Sequence, residues 1–162
     1  MCKHGRIFQS LRSLQMRQLH WSLGAKNMDE KYHMPLSVLP EGFEYPDEYE
    51  SFVAAQRVRN GSINHLPPWV FSSDETWAFE ESKNIFGVKL VPFAQAEHMD
   101  MLVYFNAGKS SEVWVANPWD GFVIEKFHSF SSWLSYASEI SSRLIEDKPQ
   151  YKGKEFWFPK SA

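Results

Sequence analysis

Between Val88 and Phe127 short apolar runs alternate with polar bends. Val88 to Phe93 and Met101 to Phe105 form two runs within VKLVPFAQAEHMDMLVYF; EVWVANP (Glu112 to Pro118) and GFVIEKF (Gly121 to Phe127) form two more. Their length and their β-branched and aromatic content predict consecutive strands of a meander. The link Asn117-Pro118-Trp119-Asp120-Gly121 favours a tight hairpin. Side chains alternate across a strand, so Met101, Val103 and Phe105 share one face while Leu102 and Tyr104 share the other. Val113 and Val115 likewise oppose Trp114 and Ala116. A sheet wetted on one side would carry polar residues at every second position; this one does not, so both faces need a cover.

The helical period supplies one cover. In FSSWLSYASEISSRLIED, Phe130, Trp133, Leu134, Ala137, Ile140, Leu144 and Ile145 recur at helix spacing, behind Ser129 as N-cap. A second helix is predicted in LPEGFEYPDEYESFVAAQRVRNG: Pro46 suits its first turn, Asp47 and Glu48 complement its positive end, and Asn60-Gly61 supplies a stop. Tyr49, Phe52 and Val53 form its apolar face. In the segment 65–87, WVF and WAF place aromatics at spacings of two, which suits strand edges or packed loops. The second face of the sheet, with Tyr104 and Trp114, is left for the chain itself or for a partner to cover.

The 162 residues suffice for one domain with a real core. Residues 1–35 read as an N-terminal extension, helical or unstructured, and 36–162 as the domain. The first segment is Arg-rich and acid-poor, as transit peptides are; an upstream start, with Met28 or Met34 as initiator, explains it equally well. The tail GKEFWFPKSA reads as an edge strand or a docked aromatic anchor. A single cysteine, Cys2, excludes an internal disulfide framework. No apolar run reaches the roughly 20 residues of a membrane span. A cytoplasmic protein without a membrane partner is expected.

Charge changes the picture more than size does. Residues 1–28 carry Lys3, Arg6, Arg12, Arg17 and Lys26 and no acid; the remainder holds 12 basic and 20 acidic residues, a net of −8. An acidic body repels phosphates and attracts basic proteins, so a protein partner is expected and a nucleic-acid partner is not.

Motifs for catalysis are absent. The six histidines make no metal-ligand spacing, and His98 with Asp100 supplies only two candidate ligands. Gly108-Lys109-Ser110 resembles the end of a phosphate-binding loop, yet Val103 stands where that loop needs glycine and a strand follows instead of a helix; a hairpin loop fits better. Ser129, Ser131 and Ser132 lie at a helix start, where capping accounts for them. No catalytic residue, metal or cofactor is expected. The aromatics are the excess: 7 Trp and 13 Phe, with Trp119 at a turn tip where burial is not automatic.

The order of these features is similar to that of the SUKH superfamily, which includes Smi/Knr-like regulators and bacterial immunity proteins. The resemblance rests on LPEGFEYPDEYESFV, the Asn60-Gly61 stop, VPFA, the acid before DMLVYF, EVWVAN and SFSSWL, and covers about residues 36–145. The family often has Gly-Asp where this chain has Met99-Asp100. The resemblance implies an α+β fold, a central mostly antiparallel sheet flanked by helices, and a non-enzymatic module that binds protein, in bacteria often a toxin domain such as a nuclease.

The expected contact residues are Tyr104, Trp114 and Trp119, with Asp100, Glu112 and Asp120 as acids facing a basic toxin domain. Taken singly, Tyr104 and Trp114 also fit the core. Two other readings stand beside this one. A carbohydrate-binding module would show paired coplanar exposed Trp rings, and a small hydrolase would show a cleft with opposed carboxylates or a metal.

Overall fold

The computed structural model describes residues 31–58, 66–97 and 99–148. Five strands form one open antiparallel sheet in chain order: β1 (Trp69–Phe71), β2 (Leu90–Ala96), β3 (Leu102–Asn106), β4 (Lys109–Asn117) and β5 (Phe122–Phe127). Among the described residues three helices accompany it: α1 (Asp47–Val58), α2 (Thr76–Phe86) and α3 (Phe130–Asp147). The fold is α+β with helices on both faces of the sheet, as the strand pattern requires.

The registers Val103↔Val115 and Tyr104↔Trp114 divide the strands into the two expected faces. On the first face, Val91, Phe93, Val103, Phe105, Val113 and Val115 join the main core with Tyr49, Phe52 and Val53 of α1 and Phe130, Trp133, Leu134 and Ala137 of α3. Aromatics fill this layer. Phe93 stacks on Phe105 at 4.2 Å between ring centroids and meets Trp133 edge-on at 5.1 Å. Among the described residues most of the Trp and Phe are therefore core. On the second face, Leu90, Leu102, Tyr104, Trp114 and Ala116 are sealed by Ala78 and Phe86 of α2, with Val88 and Val123 at the margin. The chain covers this face itself.

Helix α2 corrects the reading of WAF as strand or loop, whereas WVF is indeed edge strand β1. The helical period was hidden because one core position is polar. Ser82 is fully buried, donating its hydroxyl to the Phe79 carbonyl at 2.8 Å and accepting the Leu90 N–H at 3.0 Å. No side-chain bond caps the start of α2, so that sequence signal is missing too. Its end is conventional: Gly87, at φ +78°, returns its N–H to the Lys83 carbonyl.

The compact unit that holds the sheet starts at Lys31, ahead of the boundary expected between residues 35 and 36. Tyr32, His33 and Met34 are buried. They are strapped to α1 and its approach: Tyr49 Oη donates to the Tyr32 carbonyl at 2.6 Å, the His33 ring Nε2 lies 2.9 Å from Glu50 Oε1, and the Met34 N–H is donated to Tyr45 Oη at 2.9 Å. Sequence separation concealed this strap, because nothing periodic links it to the helix. The expected stop at Asn60-Gly61, His98, the first 30 residues and the aromatic tail lie outside the described residues. Among the described residues no helix is long and apolar enough to cross a membrane.

Candidate functional site

The β4–β5 turn is built by one side chain. Asn117 Oδ1 accepts the N–H of Trp119 at 2.9 Å and of Asp120 at 3.1 Å, while Asn117 Nδ2 donates to Asp120 Oδ2 at 3.1 Å. An asparagine that bonds the backbone two residues on imposes this type of turn. Gly121 completes it at φ +67°, a left-handed conformation that costs a residue with a Cβ. A Cβ there would meet Ile85 Cγ2 at 3.5 Å, so the turn rests against α2.

Two tryptophans meet at this contact. Trp77, in the first turn of α2, and Trp119, at the turn tip, have ring centroids 5.2 Å apart and planes tilted by 55°. Both remain in water, Trp77 at 39% and Trp119 at 55% of their full exposure. Phe122, which opens β5 directly after the turn, is 64% exposed. Asp120 is exposed beside Trp119, and Asp74 is exposed just ahead of α2. The result is an ordered aromatic projection with one exposed acid, Asp120, in the same turn. The rings are tilted rather than coplanar, so this pair does not make the flat platform set out above for a sugar.

Of the six residues expected to make contact, Trp119 and Asp120 lie together here. Asp100 is exposed in the β2–β3 turn, at the same end of the sheet but two strand spacings to the side, roughly 10 Å. Tyr104 and Trp114 are corrected: at 0% and 6% exposure they are core residues under α2 and cannot form a contact surface. Burial pushes the pKa of the Tyr104 hydroxyl up, Glu75 adding to the effect. Among the described residues that hydroxyl has no hydrogen-bond partner.

Glu112 is half-buried and tied to its own strand and the next. Its carboxylate accepts the indole N–H of Trp114 and the Asn106 amide, the latter at 3.2 Å, and lies 3.6 Å from Lys109 Nζ. The bond from Trp114 is the main reason its pKa is held below the usual range; burial opposes this, and Asn106, Lys109 and Lys126 assist. An acid so engaged is part of the scaffold. Lys126 completes the group, its Nζ 3.9 Å from the centre of the Trp114 ring.

Trp77 is the member of the site that sequence reasoning missed. Its position on a helix beside the turn depends on α2, whose period Ser82 interrupts. Ser129 caps α3 by accepting the Ser132 N–H at 3.1 Å, and the Ser132 hydroxyl lies 3.0 Å from His128 Nε2, both at the exposed start of the helix. Gly108 sits in the β3–β4 hairpin, its N–H held by Asn106 Oδ1 at 3.0 Å, as the hairpin reading of Gly108-Lys109-Ser110 requires. Among the described residues no three His, Cys, Asp or Glu side chains are grouped to hold a metal ion. Comparison of the chain with family models, curated proteins and solved structures returned no match.

Proposed function

We propose that this chain is a non-enzymatic protein-binding module of SUKH (Smi/Knr-like) type, an immunity-type protein that binds and neutralises a basic toxin domain, with Trp77 and Trp119 as the anchor of its contact surface. The observation that carries the reading is the Trp119 ring, more than half exposed on a turn ordered by Asn117. Burying a large apolar side chain stabilises by about 1.5 to 3 kcal/mol, and the fold forgoes much of that at both rings. A partner that covers them recovers it without an ordering cost, because the turn is already fixed. Tryptophans of this kind dominate interface energetics.

Charge supports the choice of partner. The body carries a net of −8 beyond residue 28, and Asp120 and Asp100 are exposed in turns at the same end of the sheet. Such a surface speeds encounter with a basic domain and disfavours acidic ones. In this reading the protein works in the cytoplasm, without cofactor, nucleic acid or membrane partner.

The test is capture from the native cell with the wild-type chain and with a Trp77→Ala/Trp119→Ala variant of unchanged melting temperature. The expected result is a basic protein retained by the first and lost by the second, toxic when expressed alone and harmless when the wild-type chain is co-expressed. Capture that is indifferent to the double substitution would reject the reading.

A further inference from the structure

Resting on the protein-binding reading above, we infer that the Trp119 ring and the Asp120 carboxylate form a receptor for a lysine side chain of the partner. The molecule contains a template for such a unit. Where β4 pairs with β5, Trp114 supplies a ring, Lys126 Nζ lies 3.9 Å from its centre, and Glu112 holds the indole N–H. Ring, ammonium and carboxylate are all present there. Lys89 rides on Phe79 in the same manner, 3.9 Å from the ring centre.

The turn that follows β4 again sets a ring and a carboxylate side by side in the chain, the carboxylate here bonded by the Asn117 amide and not by an indole, and without a cation. Among the described residues no lysine or arginine lies over Trp77 or Trp119. With their centroids 5.2 Å apart the two rings touch, so a cation has no room between them and meets the outer face of Trp119. Asp120 Oδ2 is occupied by the Asn117 amide, which leaves Oδ1 without a hydrogen bond among the described residues. One open oxygen suits the point charge of an ammonium better than the two-pronged guanidinium. A cation over an exposed tryptophan is held by the ring's negative face, and Asp100, exposed in a turn at the same end of the sheet, adds a favourable field.

The experiment uses the full chain with ¹⁵N-labelled indoles, the Trp119 resonance assigned through Trp119→Phe. It is titrated at low ionic strength with an end-blocked Gly-Lys-Gly peptide and with the same peptide acetylated on the lysine amine, which keeps the stem and removes the charge. The Trp119 resonance is expected to respond to the lysine peptide with about two- to fivefold higher affinity than to the acetylated one, and Asp120→Asn is expected to erase that preference. Equal responses, no response to either peptide, or a preference that survives Asp120→Asn would each overturn the inference. The two readings fail separately. Indistinguishable peptides alongside loss of partner capture in Trp77→Ala/Trp119→Ala remove only the lysine receptor, whereas unaffected capture removes the protein-binding reading itself.

Discussion

Trp114 donates its indole N–H to the carboxylate of Glu112, two residues earlier on the same strand and on the same face of the sheet. The bond ties Glu112 to a ring that is buried in the second core layer. It also makes Glu112 a source of pH-dependent stability, because the bond favours the ionised carboxylate and holds its folded pKa below the unfolded value.

The sign follows from linkage. A depressed carboxylate pKa contributes stability that is fully present above the unfolded value, about 4.3 for glutamate, and is lost as pH falls through the lower folded value. Denaturant melts of wild type and Glu112→Gln should therefore differ by a constant amount near neutrality and converge in acid. A gap that stays constant down through the carboxylate range would show that the Glu112 charge contributes nothing to folding.

Tyr104 tests the correction of the sheet face. Its hydroxyl is buried without a partner among the described residues, a condition that costs about 1 to 3 kcal/mol. Tyr104→Phe should raise stability by about 1 kcal/mol or leave it unchanged, whereas Trp133→Ala, at a fully buried position, should cost about 3 to 5 kcal/mol. Equilibrium unfolding in urea measures both. Marked destabilisation by Tyr104→Phe would mean that the hydroxyl is bonded.

Glu48 reaches from the first turn of α1 to the first turn of α3, where its carboxylate accepts the Ser131 N–H at 3.1 Å. An anion at a helix N-terminus satisfies an orphan donor and faces the positive end of the helix. Glu48→Ala should lower stability by a few tenths to about 1 kcal/mol, and Glu48→Gln by less, because the amide oxygen still accepts. Thermal melts in low salt would resolve this order; two neutral substitutions would remove the bond from the account.

The meander, its two faces and α3 were legible because alternation and the helical period are properties of the chain alone. The alternation of Val103 and Phe105 with Leu102 and Tyr104 predicted two covered faces, and two covered faces are found. What stayed hidden was which segment covers the second face. Buried Ser82 interrupts the pattern of α2, and with that helix unseen, Tyr104 and Trp114 looked available and Trp77 did not look like a neighbour of Trp119. The turn tip was legible because Asn117, Asp120 and Gly121 dictate local geometry without help from the core. The strap of Tyr32, His33 and Met34 was not, since nothing periodic in those three residues announces that their partners lie on α1 and its approach.

The account rests on Trp119 meeting a partner while Tyr104 does not. The most direct measurement is the dissociation constant of the captured partner for wild type, Trp119→Ala and Tyr104→Phe, by titration calorimetry on proteins with matched unfolding curves. Trp119→Ala is expected to weaken binding by about tenfold or more, the factor of an interface anchor, and Tyr104→Phe to leave it unchanged. Undiminished affinity in Trp119→Ala, or an equal loss in Tyr104→Phe, would contradict the account.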